Sequence, residues 1–333
     1  MTNLTELNRV RIAPAGHYRG FHSLLCQYLM ICRIYNLEKG EPYMDLSRKI
    51  TAFHLKDDPD YLTNPWNNYF IQQQPKLNEI YKIELASSKN DAAINPCSDS
   101  KEQTYSSWHP IIENHFLVKD HILEKVNNFV KSEFYGRVAG IHIRSTDSFF
   151  FDMHRPNLPI SFYIDLIEQK LGDYDRIFIA TDSKDVIDII KKRFGYRIIV
   201  YNCYRSSLDD YHVSRGELAV TDPYTWGEDP LVEALLLSKV ELLIRGYSNL
   251  SVLPILLNPF MKIHNVDLNF FIDGLHAHVP HTHPDFIMNE LEISNIDYYL
   301  KRSKDFEIKK RDLLQSDNRI EGITELIRNE YLV

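Results

Sequence analysis

Short apolar runs and longer amphipathic stretches take turns along the chain. Runs rich in β-branched residues cover 9–13, 176–180, 197–201, 240–244 and 261–266, and another begins at 138; each predicts a buried strand. Residues 41–45 read as a further short strand. Apolar residues recur at helical spacing over 24–35, 121–133, 161–171, 183–194, 229–238 and 249–257. Ser161 is placed to cap the third of these helices, and Asp182 or Ser183 the fourth. Strands alternating with helices of this length predict an α/β protein with a parallel, doubly wound sheet and right-handed crossovers. The pattern weakens over 57–95. Residues 86–103, rich in Ser, Asn and Asp, predict an exposed loop, and 285–333 a charged helical tail. In 64–70, Trp66, Tyr69 and Phe70 mix with polar residues, which suits either a platform for a sugar ring or a staple holding a loop to the core.

A length of 333 residues suggests two domains, taken as 1–130 and 131–333, the second including the tail. A 44% hydrophobic content excludes global disorder. The net charge of −8, without a basic tract, argues against nucleic acid as a partner. Cys26, Cys32, Cys97 and Cys203 lack metal-ligand spacing and read as reduced core thiols. With no signal-peptide pattern at Met1 and no apolar run of about 18 residues, the expectation is a cytoplasmic protein without a transmembrane segment, reaching any membrane-bound substrate from the inner face.

The chemistry concentrates where strands end. The run from Val138 turns abruptly polar, with His142, Arg144, Ser145, Thr146 and Asp147 within six positions. In open α/β sheets the carboxyl ends of the strands form the ligand edge. Alternation puts His142 and Arg144 on one face, and the arginine fork suits a phosphate pair. The plainer alternative is a strand-end ion pair from Arg144 to Asp147. Thr181 and Asp182 close a second strand. Gly246, Tyr247, Ser248 and Asn249 follow another and open a helix, where hydroxyl and N–H groups suit an anion. Together these describe a diphosphate pocket. Glu233 on the preceding helix suits the N1–H and exocyclic amine of guanine, or is a plain surface carboxylate. Near the start, Gly16 and Gly20 lie in a strand-to-helix loop that permits close backbone approach to a ligand but lacks a G-x-G-x-x-G pattern.

Several features are weaker. His276, His278, His281 and His283 cluster, but Pro280 and Pro284 interrupt any strand and no cysteine completes a metal site. Asp209 and Asp210 sit in a polar loop rather than a metal-binding Asp-x-Asp. No Gly-x-Ser-x-Gly elbow supports a hydrolase.

His142-Ile-Arg144-Ser-Thr146-Asp147, Ala180-Thr181-Asp182, Leu237-Ser238-Lys-Val-Glu241 and Ser248-Asn249 resemble, in order and rough spacing, the α1,6-fucosyltransferase and protein O-fucosyltransferase superfamily, which includes the rhizobial nodulation enzymes. The resemblance is clearest over 136–267; before it only the glycine loop matches in kind. It implies a GT-B fold of two facing Rossmann-like domains and an inverting, metal-independent transfer of fucose from GDP-fucose to a glycan or lipid-linked acceptor, with no cofactor. It implies that Arg144 binds the β-phosphate, that His142, Thr181 and Asp182 lie at the donor, and that Ser248 or Asn249 holds the diphosphate. Glu233 stands where the superfamily has a guanine-reading aspartate, and Asp152 where the α1,6 enzymes carry a catalytic glutamate. Asp152 is thus the candidate base, unless it only pairs with Arg155. Ser145 and Ser148 stand where the superfamily has an arginine and a lysine, so the resemblance does not carry over the acceptor. Two other readings stay open: a GT-B enzyme with another nucleotide-sugar donor, and a non-catalytic nucleotide- or glycan-binding protein. The oligomeric state stays open as well.

Overall fold

A computed structural model describes residues 9–14, 24–26, 28, 29, 32, 41–46, 63–72, 81–85, 108–146, 158–208, 223–246, 248–258, 260–266 and 296–333. Two parallel sheets organise them. The first has the order β2-β1-β3, from β1 (Arg9–Pro14), β2 (Glu41–Met44) and β3 (Tyr81–Leu85). The second has the order β6-β5-β4-β7-β8, from β4 (Val138–Ile143), β5 (Arg176–Thr181), β6 (Ile198–Ile199), β7 (Leu242–Arg245) and β8 (Lys262–Asn265). From β4 the chain winds outward through β5 to β6, then returns to the other side of β4 for β7 and β8. The strand order therefore reverses between β4 and β7, which opens a crevice at their carboxyl ends.

Strand alternation feeds a core on each side of the second sheet. Val138, Phe178, Ala180, Ile199, Leu243 and Ile263 face one side. There they join residues of α2 (Asp120–Glu133), α5 (Pro223–Leu237) and α6 (Asn249–Leu257). The same cluster takes in the helical residues Leu24, Leu25, Tyr28, Leu29 and Cys32, and Ile111 and Ile112 of α1 (His109–His115). Ala139, Ile141, Ile143, Ile177, Ile179, Leu242 and Ile244 face the other side. Their cover is α3 (Ile160–Lys170), α4 (Lys184–Phe194), α7 (Ile296–Leu314), α8 (Arg319–Leu326) and the single π-helical turn Ile327–Tyr331. The strands are hydrophobic on both faces because both are covered. No helix among the described residues is long and apolar enough to cross a membrane.

Several sequence expectations change. Trp66, Tyr69 and Phe70 are staples: each is at most 2% exposed, with Trp66 packed on Phe70 and Phe70 on Phe116. Ser161 does not cap α3, which starts one residue earlier behind Pro159; the Ser161 hydroxyl instead accepts from Arg302 of α7 at 3.2 Å. Ser183 does cap α4, accepting from the Val186 N–H. Helix α5 begins at Pro223, well before Asp229, and β6 shrinks to two residues. Strand β3 and helix α1 lie where the pattern predicted nothing.

Close approach of α5 to the sheet requires Gly140. A Cβ there would stand 2.9 Å from Leu237 Cδ2 and 3.1 Å from Val240 Cγ2. Gly140→Val should therefore lower stability by about 1–3 kcal/mol through overpacking. Thermal unfolding checks this, and an unchanged Tm would mean the helix yields freely.

Candidate active site at the strand switch

Four strand ends meet beside the crevice. As β4 ends, the chain is buttoned to the end of β5. Asp182 Oδ1 accepts from the Ser145 backbone N–H at 3.0 Å and from the Ser145 hydroxyl at 3.1 Å, and Oδ2 accepts from the Thr146 hydroxyl at 2.7 Å. Ser145 and Thr146 are buried. Arg144 NH1 lies 3.3 Å from Asp182 Oδ2, and its side chain stays 39% exposed. The arginine is thus tied to Asp182 at the rim with its side chain partly exposed. Arg144 pairs with Asp182; the alternative partner expected for it, Asp147, lies outside the described residues.

The segment after β6 is tied to the same edge. Ser206 N–H donates to the Asp182 carbonyl, Lys184 N–H donates to the Ser206 carbonyl, and Arg205 Nε donates to the Thr181 carbonyl at 3.0 Å. Arg205 thereby reaches Glu233 on α5, with NH2 2.6 Å from Oε1 and both side chains under 10% exposed. Cys203 Sγ also faces that oxygen at 3.6 Å. Glu233 is therefore no surface carboxylate. Burial pushes its carboxyl up to about 7, against the opposing pull of Arg205. Burial, and then the charge of Glu233, likewise raises the Cys203 thiol well above its ordinary range. Tyr204, exposed, stacks on Trp226 with ring centroids 6.4 Å apart, and its N–H donates to Asp229, whose carboxyl is raised by burial.

His142 is buried in the sheet, registered between Ala180 and Arg245. Thr181 is buried at the end of β5, and its hydroxyl accepts from the Ser183 N–H. Ser248 is the N-cap of α6 in extended conformation, yet its side chain makes no capping hydrogen bond. Asn249 is the first residue of α6. Gly16, Gly20, Asp152, Arg155, Asp209, Asp210 and the histidines at 276, 278, 281 and 283 lie outside the described residues, as does the side chain of Asn249. The structure therefore gathers Arg144, Thr181, Asp182 and Glu233 around the ends of β4 and β5, with Ser248 across the switch beyond β7. Sequence reasoning missed Arg205 and Arg245. The second was open to the logic used for Arg144, a charge ending an apolar strand, but the strand had been read as stopping at Ile244.

Glu233 sets a pH signature. Its folded carboxyl binds protons up to about 7, above the ordinary range near 4.5, so the folded state holds more protons between those values. This contribution to stability must fall as pH rises across that window. Glu233→Gln should flatten the loss, which is of order a few kcal/mol. Denaturant unfolding of both proteins at pH 5 and pH 8 measures it, and identical slopes would mean Arg205 keeps the carboxylate ionised throughout.

No family model and no curated protein matches the chain. Solved structures do. The chain is similar to NodZ α-1,6-fucosyltransferase from crystals soaked with GDP-fucose, with TM-score 0.50 and 14% identity over 78% of this chain and 96% of that one. For the fucosyltransferase NodZ from Bradyrhizobium the values are 0.50 and 13% over the same shares. The apo form of POFUT1 matches at TM-score 0.43 and 11% identity, covering 78% and 97%. The NodZ likeness is one of fold, and NodZ falls in the superfamily that the motifs resemble.

Proposed function

We propose that this protein is a glycosyltransferase that moves fucose from GDP-fucose to a hydroxyl of a glycan or lipid-linked acceptor, with inversion and without a metal. The observation that carries this is Arg144, held by Asp182 at the mouth of a strand-switch crevice, in a fold similar to an enzyme soaked with GDP-fucose. The two Rossmann-like units, 1–130 and 131–333, would face each other as in GT-B enzymes, the second holding the nucleotide.

The chemistry follows from charge. As the sugar–phosphate bond breaks, negative charge grows on GDP and oxocarbenium character on the sugar. An oriented guanidinium and the N-terminus of α6 stabilise the first. Asp182 restrains Arg144 before the donor arrives, so little reorganisation remains at the moment of transfer. Its role is thus orientation rather than direct contact with the nucleotide. The acceptor hydroxyl loses its proton late, and Asp152 is the candidate base. Glu233 reads guanine through the oxygen that Arg205 leaves free, and Tyr204 with Trp226 offers an aromatic wall beside it.

A donor screen with mass readout of the product tests this. Transfer from GDP-fucose is expected; transfer only from another nucleotide sugar rejects the donor, and GDP binding without turnover on any glycan leaves a binding protein. Arg144→Ala should lower kcat/KM by roughly 10²–10³ in a folded protein. An unchanged kcat/KM would take Arg144 out of the mechanism. EDTA should leave the rate intact, whereas loss restored by Mg²⁺ or Mn²⁺ would show a metal at work.

A further inference from the structure

Arg176 and Arg245 are the most deeply buried arginines among the described residues, at 6% and 4% exposure. Arg176 is charge-compensated, although its buried Nε finds no hydrogen-bond partner among the described residues. Its NH1 donates to the Glu133 carbonyl and its NH2 to the Tyr196 carbonyl, the Glu133 carboxylate stands 3.5 Å away, and the guanidinium lies over the Tyr135 ring. Arg245 is not. Its only hydrogen bond among the described residues runs from Nε to the Gly246 carbonyl at 3.3 Å, and no carboxylate there pairs with it. An arginine cannot shed its proton to escape burial. A buried cation without a counter-charge is costly, and such a cost persists where function needs it.

Its position says what it waits for. Arg245 is the last residue of β7 and pairs in register with His142 of β4. It stands on the strand that borders the switch crevice opposite Arg144. Ser248 follows three residues later as the N-cap of α6, with its hydroxyl unused by the helix. The first turn of that helix, in which the Ser251 N–H donates to the Ser248 carbonyl, carries a positive dipole end. Cation, hydroxyl and helix terminus thus converge on one edge, and each favours an anion.

We propose that Arg245 is a second phosphate-binding arginine, facing the diphosphate of the nucleotide donor from the β7 side while Arg144 holds it from the β4 side. The ligand class is a nucleoside diphosphate or its diphosphate moiety. The proposal rests on the nucleotide-sugar reading above for the donor's identity, but the anion site stands on Arg245 itself.

The test uses the full chain, with GDP and inorganic pyrophosphate titrated calorimetrically into the unsubstituted protein, Arg245→Met and Arg245→Gln. Both substituted proteins should bind GDP and pyrophosphate roughly ten- to a hundredfold more weakly, the loss expected for a charge-assisted contact. Without ligand, Arg245→Met should melt no lower than the unsubstituted protein, because no carboxylate among the described residues loses a partner. Arg245→Gln, which keeps a polar head, carries the measurement if the methionine variant does not fold. Equal GDP affinity in a folded variant overturns the proposal and leaves the donor reading standing. Pyrophosphate binding that depends on Arg245, without any preference for GDP, upholds the anion site and defeats the donor reading. If the unsubstituted protein binds neither, both fall.

Discussion

One carboxylate holds the candidate site together. Asp182 accepts from a backbone N–H and two hydroxyls of the segment leaving β4, and faces the guanidinium of Arg144. Hydrogen bonds to an ionised acceptor are about twice as strong as neutral ones, and this carboxylate is only partly exposed. The strand end therefore has one geometry rather than several. Because Asp182 also receives Ser206 N–H on its carbonyl, the segment after β6 is registered to the same point. Tyr331 at the far end of the described chain is buried close enough to sense this charge: its phenol is raised first by burial and then by Asp182.

The two arms of the site differ in how they treat charge. On the β5–β6 side, Arg205 and Glu233 neutralise each other in a nearly dry setting, with one carboxylate oxygen engaged. That arm suits recognition by hydrogen bonds, where a mismatched base would leave buried groups unsatisfied. On the β4–β7 side, positive charge exceeds negative charge among the described residues, which suits a polyanion.

The sheet was legible in the sequence because apolar β-branched runs are unambiguous when both faces are covered; α6 was read to the residue, and the ends of β4 and β5 followed from abrupt changes of polarity. Failures have physical causes. Strand β3, Tyr-Lys-Ile-Glu-Leu, is too short and too charged to signal burial. The aromatic stretch at 64–70 could not be divided between ligand platform and staple without knowing that Phe116 and Tyr28 would meet it. Helix α5 starts early because Lys125 and Tyr224 both donate to Glu228, and Tyr69 donates to the Tyr224 carbonyl. These bonds join segments more than a hundred residues apart in the first and third cases, beyond any local pattern. Arg205 sits in a polar loop, where nothing local tells a pairing arginine from a solvated one.

The order of the layers along the chain has a consequence for biogenesis. In sequence the second sheet ends at Asn265, whereas α7 and α8, which complete the cover that α3 and α4 begin on one of its faces, follow from Ile296. On a ribosome, the face carrying Ile141, Ile179 and Ile244 would thus have only α3 and α4 over it until α7 and α8 have been synthesised. A nascent chain in that interval carries a partly wet apolar surface, so chaperone capture is most needed there and a premature stop there would yield an aggregating fragment rather than a smaller folded protein.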